Sequence, residues 1–238
     1  MKTRILSFAV LLMLSIASFA QQEVTKFMGI PVDGFKKDMI QKLEAKGFEY
    51  DKVNGYLTGE FNGDEVMVFI KTNNNKVWRI ALVDKLERDE GQIKIRYNNL
   101  CHQFQKNKKY SYILDESPII PDDEQISYEM TVNKKQYQAV FCQKQSNAND
   151  SILMAAEIQE RMVKILKDDY HTCLDSIQAM PKKESEEIGV KITKKVFMDM
   201  FEELTMRHVW FTINERYGNY VLTLFYDNEY NNSHGEDL

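Results

Sequence analysis

Apolar and polar positions along the chain follow two rhythms, one of 3.6 residues and one of two, and their order sets the expected fold. Phe35, Met39, Ile40 and Leu43 form a helical stripe, with Asp33 as the expected N-cap. Gly47 stands where a left-handed exit residue belongs, with Phe48 beyond it. Three strands are expected next: Tyr56 to Phe61, Glu65 to Lys71 and Val77 to Val83. Asn62-Gly63 is a two-residue hairpin signal, and Asn73-Asn74-Asn75 marks the second turn. Val66, Val68 and Ile70 alternate with Met67 and Phe69, so the middle strand is apolar on both faces and needs cover on each.

A second unit repeats this order. Gln92 to Lys106 is an amphipathic helix with Ile93, Tyr97, Leu100 and Phe104 on one side. After a loop bounded by Pro118 and Pro121, strands are expected at Gln125 to Val132 and Gln136 to Cys142. Glu129 to Lys135 would then hold the place that Glu60 to Asp64 holds in the first unit, an internal repeat of element order. Residues 148–205 are helical and charged, broken at Pro181, and read as a helical hairpin inserted between two neighbouring strands. Val209 to Asn214 and Tyr220 to Tyr226 close the unit around a Tyr217-Gly218-Asn219 turn. The expected fold is α+β: two imperfect helix-plus-antiparallel-sheet units, 21–87 and 88–238, facing each other or sharing a sheet, with the hairpin in the second.

The N-terminus changes the picture of where the chain works. Lys2 and Arg4 precede the apolar run Ile5 to Phe19, and Ser18-Phe19-Ala20 places small residues before Gln21. That pattern reads as a secretory signal peptide at 1–20, with cleavage near Ala20-Gln21 and a periplasmic or extracellular product. The run is short of the ~20 residues a bilayer span requires, and no later stretch reaches that length. Removing Lys2 and Arg4 takes the formal net charge from −5 to −7. A mildly acidic chain with dispersed lysines has no footprint for nucleic acid.

Gly29-Ile30-Pro31-Val32-Asp33 through Lys46-Gly47-Phe48, Leu57-Thr58-Gly59-Glu60-Phe61, Arg96-Tyr97-Asn98-Asn99-Leu100, Phe225-Tyr226-Asp227-Asn228 and Gly235-Glu236-Asp237-Leu238 resemble an uncharacterised family of exported bacterial α+β proteins. The element order is also similar, as architecture, to the β-lactamase-inhibitor-protein fold. Neither resemblance implies an activity.

Chemistry is sparse. The chain has no G-x-S-x-G, H-E-x-x-H, C-x-x-C or P-loop motif. Cys101, Cys142 and Cys173 read as buried thiols, with a Cys101–Cys142 bridge as the alternative. On a helix His102 points about 100° away from Cys101, which disfavours a dyad between them; His208 reads as a boundary residue. Asp168, Asp169, His171 and Cys173 crowd one helical segment, and Asp227, Glu229 and Asn231 alternate oxygen ligands like the start of a calcium loop. The latter lack the glycine at position six and the glutamate at twelve, so no metal or cofactor is expected. Asp122-Asp123-Glu124 reads as a solvated turn. Tyr217, Tyr220, Tyr226 and Tyr230, with Phe225 among them, are candidates for a partner surface, set against ordinary packing. The expectation is a non-catalytic binding protein for an envelope or extracellular protein or glycan. The alternative is a hydrolase of such a polymer using dispersed carboxylates.

Overall fold

The computed structural model describes residues 23–114, 116–145, 151–170 and 181–232. The signal segment and Cys173 lie outside them. A short ribbon, β1 (Lys26–Phe27) and β2 (Ile30–Pro31), precedes α1 (Lys36–Glu44), β3 (Glu49–Asp51), β4 (Tyr56–Phe61), β5 (Asp64–Asn73) and β6 (Lys76–Asp84). Next come α2 (Glu90–Lys106), β7 (Tyr110–Tyr112), α3 (Ile126–Thr131), β8 (Gln138–Gln143), α4 (Ser151–Tyr170), α5 (Lys182–Thr205), β9 (His208–Arg216), β10 (Asn219–Asp227) and a single 3₁₀ turn at Glu229–Asn231. No helix among the described residues is long and apolar enough to cross a membrane.

The two units share one antiparallel sheet of eight strands, in the order β3-β4-β5-β6-β10-β9-β8-β7. Each unit is a helix followed by a four-stranded meander, and the two meanders join where β6 pairs with β10. One transverse row shows why the join is stable. Leu57, Val68, Leu82, Leu224, Phe211 and Ala139 lie opposite one another across six strands, and all are buried. Helix α1 packs on β5 and β6, and α2 on β10 and β7, so this face carries one continuous core. Burial of such side chains contributes roughly 1.5–3 kcal/mol each.

The tight turns follow the sequence. Asn62-Gly63, Asn74-Asn75 and Tyr217-Gly218 all take positive φ at both positions, the twist that two-residue hairpins need. Gly47, at φ +96, ends the α1 segment as expected, and the Phe48 amide closes back on the Leu43 carbonyl at 3.2 Å. Asp33 is not the cap: α1 begins at Lys36, and the Asp33 carboxylate instead accepts from the Gly34 amide and from Asn231.

The expected strand at 125–132 is helix α3. Ile126, Tyr128, Met130 and Val132 mimic a period of two, but Ile126 and Met130 are also one helical turn apart. Those two meet the core, while Tyr128 and Val132 are exposed. The Glu90 carboxylate fixes the outcome by accepting from the Ile126 amide at 2.6 Å and the Ser127 hydroxyl at 2.8 Å, which caps the helix. Its place as edge strand is taken by β7, and Glu129 to Lys135 is no counterpart of the Asn62-Gly63 turn.

A closed ring of charge ties the halves together at one end of the sheet. Asp84 accepts from Arg88 at 2.8 Å and from Arg96 at 3.2 Å; Asp64 accepts from the same two guanidiniums. Burial pushes the Asp84 carboxyl up, against the pull of Arg96 and Arg88.

Helices α4 and α5 form the hairpin between β8 and β9. Those strands pair directly, Phe141 with Val209 and Cys142 with His208. The helices build their own small cluster from Ile165, Leu166, Ile192 and Val196, separate from the main core. Arg161 on α4 clamps Glu203 on α5 at 2.7 Å and Glu157 one turn away at 2.7 Å.

Candidate functional site

The sheet face opposite α1 and α2 carries a second transverse row. Phe69 lies opposite Ala81, Ala81 opposite Phe225, Phe225 opposite Trp210, and Trp210 opposite Val140. Tyr56 extends it on β4, its ring 5.4 Å from Phe69. The row crosses six strands, about 24 Å at the usual strand spacing. Apart from buried Ala81, its members are half-buried rather than sealed in a core.

Aromatic stacking orders the middle of the row. Trp210 and Phe225 stack at 4.1 Å with an interplanar angle of 22°. The Arg79 guanidinium lies 4.8 Å from the Phe225 ring and 4.3 Å from Trp78. Pairing between β5 and β6 shifts register after Lys71, which leaves Trp78 as the extra residue of a bulge beside Arg79. The same guanidinium lies 5.5 Å from the Trp210 ring, so it sits at the shared flank of the stacked pair, and Trp210 and Phe225 each give one face to the other.

Asp227, at the end of β10, is the hub beneath this stack. Arg79 reaches it with both fork nitrogens at 2.6 Å, the Trp210 indole donates at 2.8 Å, and His208 Nε2 lies 3.0 Å away. Burial alone would raise the Asp227 carboxyl; the bonds from His208, Arg79 and Trp210 outweigh it and hold the group below its ordinary range. Burial would likewise lower His208, but the bonds to Asp227 and to the Thr205 carbonyl, with Glu229 nearby, hold it above its ordinary value. Nδ1 of His208 is 3.0 Å from that carbonyl, which only accepts. Both ring nitrogens thus face acceptors, the arrangement of an imidazolium.

His208, Asp227 and Glu229 offer three ligand atoms within 4.8 Å of one another, the one such group among the described residues. The donor set does not suit a cation. His208 has no lone pair to spare in the state its partners favour, and Asp227 already holds the Arg79 guanidinium. A metal would have to displace that guanidinium or sit against it. The calcium-like alternation also disperses: Asp227 turns to Arg79, Glu229 to His208, and Asn231 donates to Asp33 and to the Val77 carbonyl. Of the helical group, Asp168 is exposed on α4; the side chains of Asp169, His171 and Cys173 lie outside the described residues.

The tyrosine candidates do not gather. Tyr217 is fully exposed at the β9–β10 turn, Tyr230 is half-buried near the hairpin, and Tyr220 and Tyr226 are buried on the core face. The Tyr226 ring meets Phe27 at 4.9 Å, tilted by 54°, a packing contact. The residues that do assemble are Tyr56, Phe69, Trp78, Arg79 and Trp210, and their signal in the sequence is the apolar alternation on both sides of 66–70. Cys101 and Cys142 are free and buried, with no bridge between them, and burial pushes their thiols up to about 12 and about 11.

A cavity of about 620 Å³ lies between the hairpin and Tyr230. Six acidic side chains line it, but Glu157 and Glu203 are clamped by Arg161. Comparison with protein-family models, curated proteins and solved structures gives no match, so function is argued from geometry.

Proposed function

We propose that the chain is an exported, non-catalytic interaction module that docks a folded protein partner on the open face of its sheet. The observation that carries this reading is the half-buried row Tyr56, Phe69, Phe225, Trp210 and Val140 across six strands. Aromatic residues on a rigid scaffold are favoured anchors because they bring large contact area at little entropic cost. A glycan platform needs a free ring face. Trp210 and Phe225 each give one face to the other and share the Arg79 guanidinium at their flank, so contact with ring edges and aliphatic side chains suits a protein surface better. The strong charges here are internally paired at Asp227, which supports a preformed surface rather than proton transfer.

Photo-crosslinking in the native compartment tests it. A photoreactive residue at Phe69 or Val140 should give one discrete protein adduct, and the same residue at exposed Lys37 on α1 should give none. Equal labelling at both positions, or turnover of an envelope polymer by the purified protein, would overturn the reading. Export is tested separately by N-terminal sequencing, which should begin near Gln21.

A further inference from the structure

Acidic residues are spread unevenly. The chain carries 36 of them against 31 lysines and arginines, yet neither Gly91 to Leu114 nor Met130 to Asn149 contains one. Those stretches hold most of α2 and all of β7 and β8, and the strand order puts β7 and β8 together at one edge of the sheet. An acidic chain therefore has one edge built without carboxylates.

Lysines gather at one corner of that edge. Lys106 ends α2, Lys108 and Lys109 lie in the turn into β7, and the Lys144 amide at the end of β8 donates to the Lys109 carbonyl at 2.8 Å. Lys106, Lys108 and Lys109 are exposed and Lys144 is half-buried. None of the four makes an ion pair among the described residues. Glu157 and Glu203, which share a depression with Lys144, are both held by Arg161 at 2.7 Å. Like charges so close repel one another, and an anionic surface laid against them relieves the repulsion.

The start of the folded chain is fastened to the same corner. The Gln143 side chain accepts from the Lys26 amide at 2.7 Å and donates to the Lys26 carbonyl at 3.1 Å and to the Tyr110 hydroxyl at 3.2 Å. Glu23 pairs with buried Arg207 at 3.4 Å, the buried Thr25 hydroxyl donates to the Asp227 carbonyl, and Phe27 is in the core. The apolar leader expected at 1–20 thus ends at most about 11 Å of extended chain from Glu23, whose place beside this corner is fixed.

We infer that this corner rests on the anionic headgroup surface of a membrane, with Lys106, Lys108, Lys109 and Lys144 on lipid phosphates. While the leader occupies the bilayer, the fastened segment turns the lysines toward the headgroups, and an apolar anchor with a basic patch makes the usual pair of membrane signals. After cleavage the lysines alone give a weak, reversible contact. The leader's part rests on the export proposed above; the lysine contact stands without it. A membrane is favoured over an acidic protein because the leader brings a membrane within reach. Each lysine near an anionic surface strengthens binding about fivefold, so four give half-binding near ~1 mM lipid. The chain's acids elsewhere are screened beyond about 8 Å at physiological salt.

Vesicle co-sedimentation of the chain from Gln21 onward tests the inference. The protein should sediment with phosphatidylglycerol-containing vesicles at ~1 mM lipid, stay in solution with pure phosphatidylcholine, and be released by added salt. Lys106→Glu with Lys108→Glu and Lys109→Glu should weaken sedimentation about a hundredfold or more with thermal melting unchanged, since these side chains are exposed. The same reversal at Lys36, Lys37 and Lys42, exposed on α1, should leave it intact. No sedimentation, equal sedimentation with both vesicles, or equal loss in the two triple variants overturns the inference. So does retention on immobilised polyglutamate that the Lys106 triple variant loses while vesicles bind nothing, which would give the lysines to an acidic protein. A cellular protein that keeps Met1, with the vesicle result as expected, would overturn export alone and leave the lipid contact supported.

Discussion

Asp227→Asn tests whether the hub under the aromatic stack is held by charge. The carboxylate is fully buried and serves both fork nitrogens of Arg79, the Trp210 indole and His208. Asparagine keeps one acceptor oxygen of similar size. It loses the charge, one bond from Arg79 and the ion pair with His208, each partner being less than a quarter exposed. Breaking a buried pair on one side costs about 3–5 kcal/mol, and the retained oxygen brings the expectation to about 3 kcal/mol. Urea unfolding at pH 6 should show it as a lower midpoint at unchanged slope. The pH dependence follows from the two shifts. Asp227 is lowered on folding, so its contribution is present above the unfolded value near ~3.9 and is lost as pH falls through the folded value. His208 is raised, so its contribution is full below ~6.5 and is lost as pH rises through its folded value. The variant should therefore be most handicapped between pH ~4 and ~6.5, and less so in alkali. In its NMR titration His208 should also fall from its raised value, because burial then acts with less opposition. A loss below ~1 kcal/mol at pH 6, or a His208 titration identical to wild type, would refute a charge-held hub.

Three further outcomes are expected. Gly59→Ala would place a Cβ 2.4 Å from Phe48, and overpacking there should lower stability by about 1–3 kcal/mol in thermal or urea melts. Cys101 and Cys142 in the native protein should resist alkylation at pH 8 and react after denaturation without reductant, as peptide mapping would read; native labelling of either would contradict their burial. Replacing 146–206 with a short Gly/Ser loop should leave one cooperative unfolding transition, because β8 and β9 pair without the hairpin and its cluster is separate; a non-cooperative melt would show that the hairpin is needed to hold the sheet.

How much could be read beforehand varied with the range of the interaction. Asn62-Gly63 and Gly47 were legible because the requirement for positive φ is local. Residues 125–132 were misread because Ile126 and Met130 satisfy both rhythms, and the deciding partner, Glu90, lies 36 residues away. For the open face, the row draws single residues from six strands and exists only once the strand order is known. Parity along β10 would have helped. Tyr220, Leu222, Leu224 and Tyr226 fall on one side and Phe225 on the other, so the clustered tyrosines could not share a surface with Phe225. Asp227 carried no local mark of its role, since Arg79 is 148 residues distant.

The junction of β6 with β10 also has a kinetic side. The first meander can form from local hairpins, yet its last strand, with buried Val77, Ile80 and Leu82, waits for a neighbour far along the chain. Contacts of such sequence separation form late and slow folding. Until β10 arrives, β6 is a long apolar edge with unpaired amides, the kind that templates association. Under crowded refolding conditions a β10 from another copy can complete that edge with the same register, Leu224 against Leu82, and give an exchanged dimer. Dilution during refolding should favour the monomer.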